Sequence, residues 1–146
     1  MYGEMVRVRA RANALREIAD ELAGRARSLS VQSDAMMWQS RAGDAFRDQL
    51  RMVAGDIGAQ SAALHGAAEA LERHASAVDS TKQAIQDAQS WVTARLNDAA
   101  RTVREAGEAT VGAVEEAIVS ATRNAPVAGS RDWLEFKQLF ERRGWV

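Results

Sequence analysis

The sequence contains no cysteine, one proline and two histidines, and its aromatic residues are limited to four Trp, three Phe and one Tyr among 146 positions. Each scarcity excludes something. Without cysteine there is no disulfide, no thiolate nucleophile and no cysteine metal ligand, and cysteine usage says nothing about compartment. The single proline, Pro126, leaves everything before it free of the strongest helix breaker. His65 and His74 fall about 180° apart on a straight helix, so one helix cannot present both to a metal ion. Glu72 and His74 lack the Glu-x-x-His spacing of carboxylate-bridged metal sites. Gly-rich phosphate loops are missing as well, and no acid, base and nucleophile converge. No catalytic residue, cofactor or metal is therefore expected, and an enzyme is the least favoured class. No apolar run approaches the roughly 18–20 residues of a membrane span. The N-terminus holds Glu4 and several arginines where a signal peptide needs an apolar core, so no Sec-type signal is expected. With 19 basic and 20 acidic residues the net charge is -1, which gives no global attraction to nucleic acid or anionic membrane.

What remains is rich in alanine, with abundant Arg, Glu and Gln and 47% hydrophobic residues, a composition that predicts an all-α fold. The patterning is heptad. Met5, Ala12, Ala19 and Ala26 form one track and Val8, Leu15, Leu22 and Leu29 a second, predicting a helix over 3–29. Ser28, Ser30, Gln32, Ser33 and Asp34 then favour a turn, placed at about 31–41. Ser40 suits the N-cap of a second helix, with Asp44 in its first turn. That helix has Leu50, Ile57, Leu64, Leu71, Val78, Ile85, Val92, Ala99 and Ala106 at strict seven-residue intervals, beside the more polar track Val53, Gln60, Ala67, His74, Thr81 and Ala88. An unbroken helix over 40–123 would be roughly 125 Å long, against about 40 Å for the first. The excess must overhang, fold back or bury its seam in another chain. Ser80-Thr81-Lys82-Gln83 has capping-box form and marks a candidate break. The heptad phase runs through it without a skip, however, so the helix is expected to continue to about Trp91.

The expected architecture is an antiparallel helical hairpin with a long second helix and a C-terminal helical extension. Residues 1–91 form the hairpin and 92–123 a helical extension weakened by Gly107 and Gly112. A linker spans 124–130, and a short amphipathic helix spans 131–146, capped by Ser130 and stopped by Gly144. Charge supports the hairpin: residues 1–31 carry six Arg and four acids, whereas residues 42–79 carry three Arg and six acids. Leu15, Leu22, Leu50, Ile57, Leu64, Leu71 and Val78 are the expected partner interface. Trp133, Phe136 and Phe140 share one face of the last helix and read as a docking surface, with membrane contact the less favoured alternative. Trp38 has two compatible readings. Its ring can plug the open end of the helix pair, or its exposed side can form a recognition surface.

The stretch Trp38-Gln39-Ser40 followed by Ala42-Gly43-Asp44-Ala45-Phe46-Arg47 resembles the WXG100, or ESAT-6-like, proteins of type VII secretion. In that family a Trp-x-Gly turn joins two antiparallel helices, followed by an Ala-x-x-Phe-basic pattern whose places Ala42, Phe46 and Arg47 take with one residue more between the alanine and the phenylalanine. The resemblance covers about residues 1–90 and continues in Ala70-Leu71-Glu72-Arg73-His74-Ala75-Ser76-Ala77-Val78, where His74 takes a commonly aromatic place. Two departures stand out. Ser40 replaces the usual glycine, which a negative φ at an N-cap tolerates. The family's Tyr-x-x-x-Asp/Glu export signal is not found, since the only tyrosine is Tyr2 and Val6 follows four residues later. The chain is also longer than a minimal member and is similar to actinobacterial relatives with added helix. The resemblance implies a turn motif of Trp38, Ser40, Ala42 and Phe46. It implies pairing into a four-helix bundle with itself, a related hairpin or a larger effector, and contact with the secretion machinery. It further implies a cytoplasmic protein that becomes secreted by a non-Sec route or cell-surface associated. A cytoplasmic coiled-coil adaptor or effector chaperone, and a membrane-active helical protein, remain the alternatives.

Overall fold

The computed structural model describes residues 2–106 and 112–145. Among them the chain forms four α-helices and no strand: α1 (Tyr2–Ala35), α2 (Arg41–Ala106), α3 (Ala113–Ala121) and α4 (Asp132–Arg142), with a 3-10 turn at Thr122–Asn124. The all-α expectation holds. Gly107 and Val111, part of the weakened stretch, lie outside the described residues. The chain divides into two compact units, Met1–Val78 and Asp79–Val146.

The first unit is an antiparallel pair made by α1 and the N-terminal part of α2. Two hydrogen bonds set its register. The Ser61 hydroxyl donates to the Ala19 carbonyl at 2.7 Å, and the Ser33 hydroxyl donates to the Arg47 carbonyl at 3.3 Å. Stepping seven residues in opposite directions along the two helices puts Ala26 level with Ala54, Ala12 with Ala68, and Met5 with Ala75. These residues, with Ser33 and Ser61, are buried along the seam. The seam is thus built almost entirely from alanine and serine. Small side chains let two backbones approach closely, so the contact line falls where the side chains are smallest and not where they are most apolar. The buried track is Ala54, Ser61, Ala68 and Ala75, while Leu50, Ile57, Leu64, Leu71 and Val78 flank it half-buried.

α1 also runs past its expected end at Leu29 to Ala35. Ser33 continues the seven-residue track of Ala12, Ala19 and Ala26, and its hydroxyl finds a partner across the seam. The local hydrogen bonding that favours a turn is therefore replaced by a tertiary bond.

α2 passes without interruption through Ser80. In the second unit its track Ile85, Val92 and Ala99, with Ala88 and Leu96, packs against Ile118, Trp133, Phe140 and Trp145. Trp91, which the pattern assigned to the hairpin, packs against this core. The rings meet mostly edge to face, with Trp91–Phe140 at 6.3 Å, Trp133–Phe136 at 5.8 Å and Phe140–Trp145 at 5.0 Å between centroids. Such pairs each contribute about 0.5–1.5 kcal/mol beyond area burial. Local chemistry aims α4. The Trp133 indole N–H donates to the Val127 carbonyl at 3.0 Å, and the Asp132 N–H donates to the Ser130 hydroxyl at 3.2 Å. At the other end Gly144 takes φ 70°, its N–H donating to the Glu141 carbonyl, and the Trp145 N–H reaches back to the Phe140 carbonyl at 3.0 Å. This is a Schellman ending, and the Trp145–Phe140 ring contact is its accompanying hydrophobic contact.

Candidate functional site: the Trp38 corner and the leucine face

The corner spans residues 36–40 between α1 and α2. Ser40 caps α2: its hydroxyl accepts the Gly43 N–H at 3.1 Å, and its carbonyl accepts the Asp44 N–H at 2.9 Å. Among the described residues no non-glycine has positive φ, so serine occupies this place without strain. Gly43 is buried, and a Cβ there would lie 2.8 Å from both the Cβ and the carbonyl oxygen of Trp38. The glycine requirement thus sits at 43, where the corner folds back over the first turn of α2. Arg47 completes the clamp. Its guanidinium donates to the Met36 carbonyl at 3.1 Å and the Trp38 carbonyl at 2.8 Å, and it pairs with Asp44.

These contacts hold the backbone of Trp38 and leave its ring in water. Trp38 is 68% exposed and Met37 91% exposed. The plug reading is overturned: a ring packed into the end of the pair could not be so accessible. Met36, Met37, Trp38 and Phe46 instead line a shallow apolar hollow on the surface. Ala42 is exposed within the first turn of α2. Gly43, Arg47 and the two methionines are parts of this corner that sequence reasoning underused. Arg47 was visible only as one position of the family pattern, because an arginine that reaches back to carbonyls has no periodicity to betray it.

The second feature follows from the register. On each helix, residues three beyond a seam position lie on one flank and residues four beyond lie on the other. In an antiparallel pair equal flanks fall on the same face. Val8, Leu15, Leu22 and Leu29 therefore share a face with Leu50, Ile57, Leu64, Leu71 and Val78, all half-buried. The opposite face is polar. There Arg9 pairs with Glu72 at 3.2 Å, His65 Nε2 meets Asp20 at 3.1 Å, and Arg51 pairs with Asp34 at 3.2 Å. Ile18, Phe46 and Val53 extend the apolar face outward, and all three are exposed. His74 is exposed in the same outer row as Phe46 and Val53.

Trp133 and Phe140 are buried in the second unit's own core, and Phe136 is partly buried against it. Among the described residues no helix is long and apolar enough to cross a membrane, and no group of three His, Cys, Asp or Glu could hold a metal ion. No protein-family model, curated protein or solved structure matches the chain.

Proposed function

We propose that this protein is a non-enzymatic WXG100-like component of type VII secretion, acting through helix-bundle pairing with itself, a related hairpin or a larger effector. The observation that carries the reading is a rigidly held, solvent-exposed Trp38 at the end of a hairpin whose leucine face is only half covered. Exposed aromatic anchors on pre-organised backbone are typical centres of binding energy. Contiguous apolar surface beyond a few hundred Å² marks interaction sites. In this reading the leucine face receives the partner, and the corner of Met37, Trp38 and Phe46 is presented to the secretion machinery. The partner supplies the tyrosine-based export signal, because Tyr2 is the chain's one tyrosine and Val6 stands where an acid belongs. The protein leaves the cytoplasm as one half of that complex.

The test is export. In cells lacking the secretion ATPase the chain should accumulate inside and vanish from the medium, and a Trp38→Ala chain should do the same while still pairing. Unchanged release in the ATPase mutant would sink the reading. A second reading has one observation in its favour. The heptad track of α2 that is half-open at Leu50–Val78 is covered at Ile85–Ala99 by α4, an aromatic amphipathic helix. The open track therefore suits an effector's amphipathic helix, as a cytoplasmic adaptor or chaperone would hold it. Recovery only from cells, bound to an effector, favours that alternative.

A further inference from the structure

We propose that Met37, with Met36 beside it, is a reversible oxidation site: oxygen transfer to these thioethers turns the apolar hollow at the Trp38 corner polar and leaves the fold intact. The inference stands on the corner alone and needs neither pairing nor export. The chain has five methionines and no cysteine, so thioether is its only sulfur chemistry. The settings of these methionines differ. Met5 is buried in the hairpin seam, at 8% exposure. Met52 is exposed on α2 but is not part of the hollow. Met36 and Met37 are exposed and line the hollow with Trp38 and Phe46. Met37 is the most exposed of the large apolar residues described, which makes it the first of the four to meet an oxidant in solution.

The step is a two-electron oxygen transfer. The thioether sulfur attacks an oxygen of hydrogen peroxide, the S–O bond forms as the O–O bond breaks, and water leaves. The sulfur is oxidised to a sulfoxide and the peroxide is reduced. Methionine sulfoxide reductases reverse it: their cysteine thiols close to a disulfide and the oxygen departs as water. The sulfoxide puts a strong hydrogen-bond acceptor where an apolar group stood. Among the four side chains of the hollow only the Trp38 indole carries an N–H, so a sulfoxide oxygen there takes that N–H or water. The fold is spared because main-chain contacts set the corner. The Met36 N–H donates to the Ser33 carbonyl at 3.3 Å, and the Arg47 guanidinium donates to the Met36 and Trp38 carbonyls. None of these bonds uses a thioether. Met5 is the opposite case, since a sulfoxide there would place a polar group in a seam of alanine and serine.

The full chain is treated with hydrogen peroxide, mapped by mass spectrometry and read with the apolar dye anilinonaphthalene sulfonate. Met37 should gain oxygen about fivefold or more faster than Met5. Dye fluorescence should fall about twofold while helicity by circular dichroism holds, and a methionine sulfoxide reductase should restore it. Met36→Leu combined with Met37→Leu keeps the hollow apolar and removes its sulfur. In that chain peroxide should still oxidise Met52 while dye fluorescence stays level, so Met52 serves as the control for exposure alone. Oxidation of Met37 no faster than that of Met5 overturns the proposal. So does a double variant whose signal falls as far as the parent's, a parent whose signal is unmoved once Met37 is oxidised, or a loss of helicity that tracks oxidation at Met36 and Met37.

Discussion

The two units solve one problem with opposite materials. In Met1–Val78 the contact line is alanine and serine with Met5 at one end, and among the residues whose burial is described no buried aromatic contributes. In Asp79–Val146 the core is Trp133, Phe140 and Trp145 set against Val92 and Ile85. The difference is clearest along one track of α2. Leu50, Ile57, Leu64, Leu71 and Val78 are half-buried, whereas Ile85, Val92 and Ala99, in the same seven-residue phase, are buried. Where two helices meet on small residues they close a narrow seam and leave their leucines on the flank. Where aromatics fold over the track, the chain covers itself. Apolar residues at helical spacing thus do not state which row is core, because the nearest neighbour's side-chain size decides that.

This comparison can be broken in order of expected effect. Phe140→Ala should cost about 3–5 kcal/mol and be read as a shift in the urea midpoint of the second unit, followed by tryptophan emission. A loss below about 1 kcal/mol would mean that its aromatic core is not what holds it. Ala19→Leu or Ala68→Leu should destabilise the hairpin by about 1–3 kcal/mol through overpacking, even though each adds apolar surface. A neutral or stabilising outcome in thermal unfolding would remove the small-residue seam from the account. Gly43→Ala should cost about 1 kcal/mol. The clash with Trp38 at 2.8 Å outweighs the helix-propensity gain, and Trp38 emission should change with it. Leu64→Ser should cost the isolated chain only about 1 kcal/mol, because the residue is already half-exposed, while lowering the mass seen by light scattering. Arg9→Gln should have the smallest effect, about 0–1 kcal/mol, since the Arg9–Glu72 pair is more than a third exposed on each side.

Much of the candidate site was legible in the residues. The cap at Ser40 follows from its hydroxyl, and the helix after it from the heptads. The stop at Gly144 follows from the one residue that takes positive φ freely. The exposure of Trp38 was not legible, because a tryptophan between two apolar helices has as much reason to bury as to protrude. Its protrusion depends on Arg47 and Gly43 holding the backbone to which it is attached, and those contacts cross a turn with no periodic signal. The end of α1 was misplaced for a related reason. Ser33 looks like a turn residue until the Arg47 carbonyl stands opposite it.

By itself the sequence determined the all-α class, the long second helix, the corner near Trp38 and the terminal aromatic helix. All of these follow from propensity, capping chemistry and repeat length, which act within a few residues. Only the tertiary structure decided that alanines form the hairpin seam and that the leucines are left on one face. It also decided that Trp38 faces water and that the aromatic helix covers its own chain. The physical reason is common to all four. Each depends on how closely two distant segments approach, and that distance is set by the volume and hydrogen bonding of the partner's side chains, which no local pattern contains.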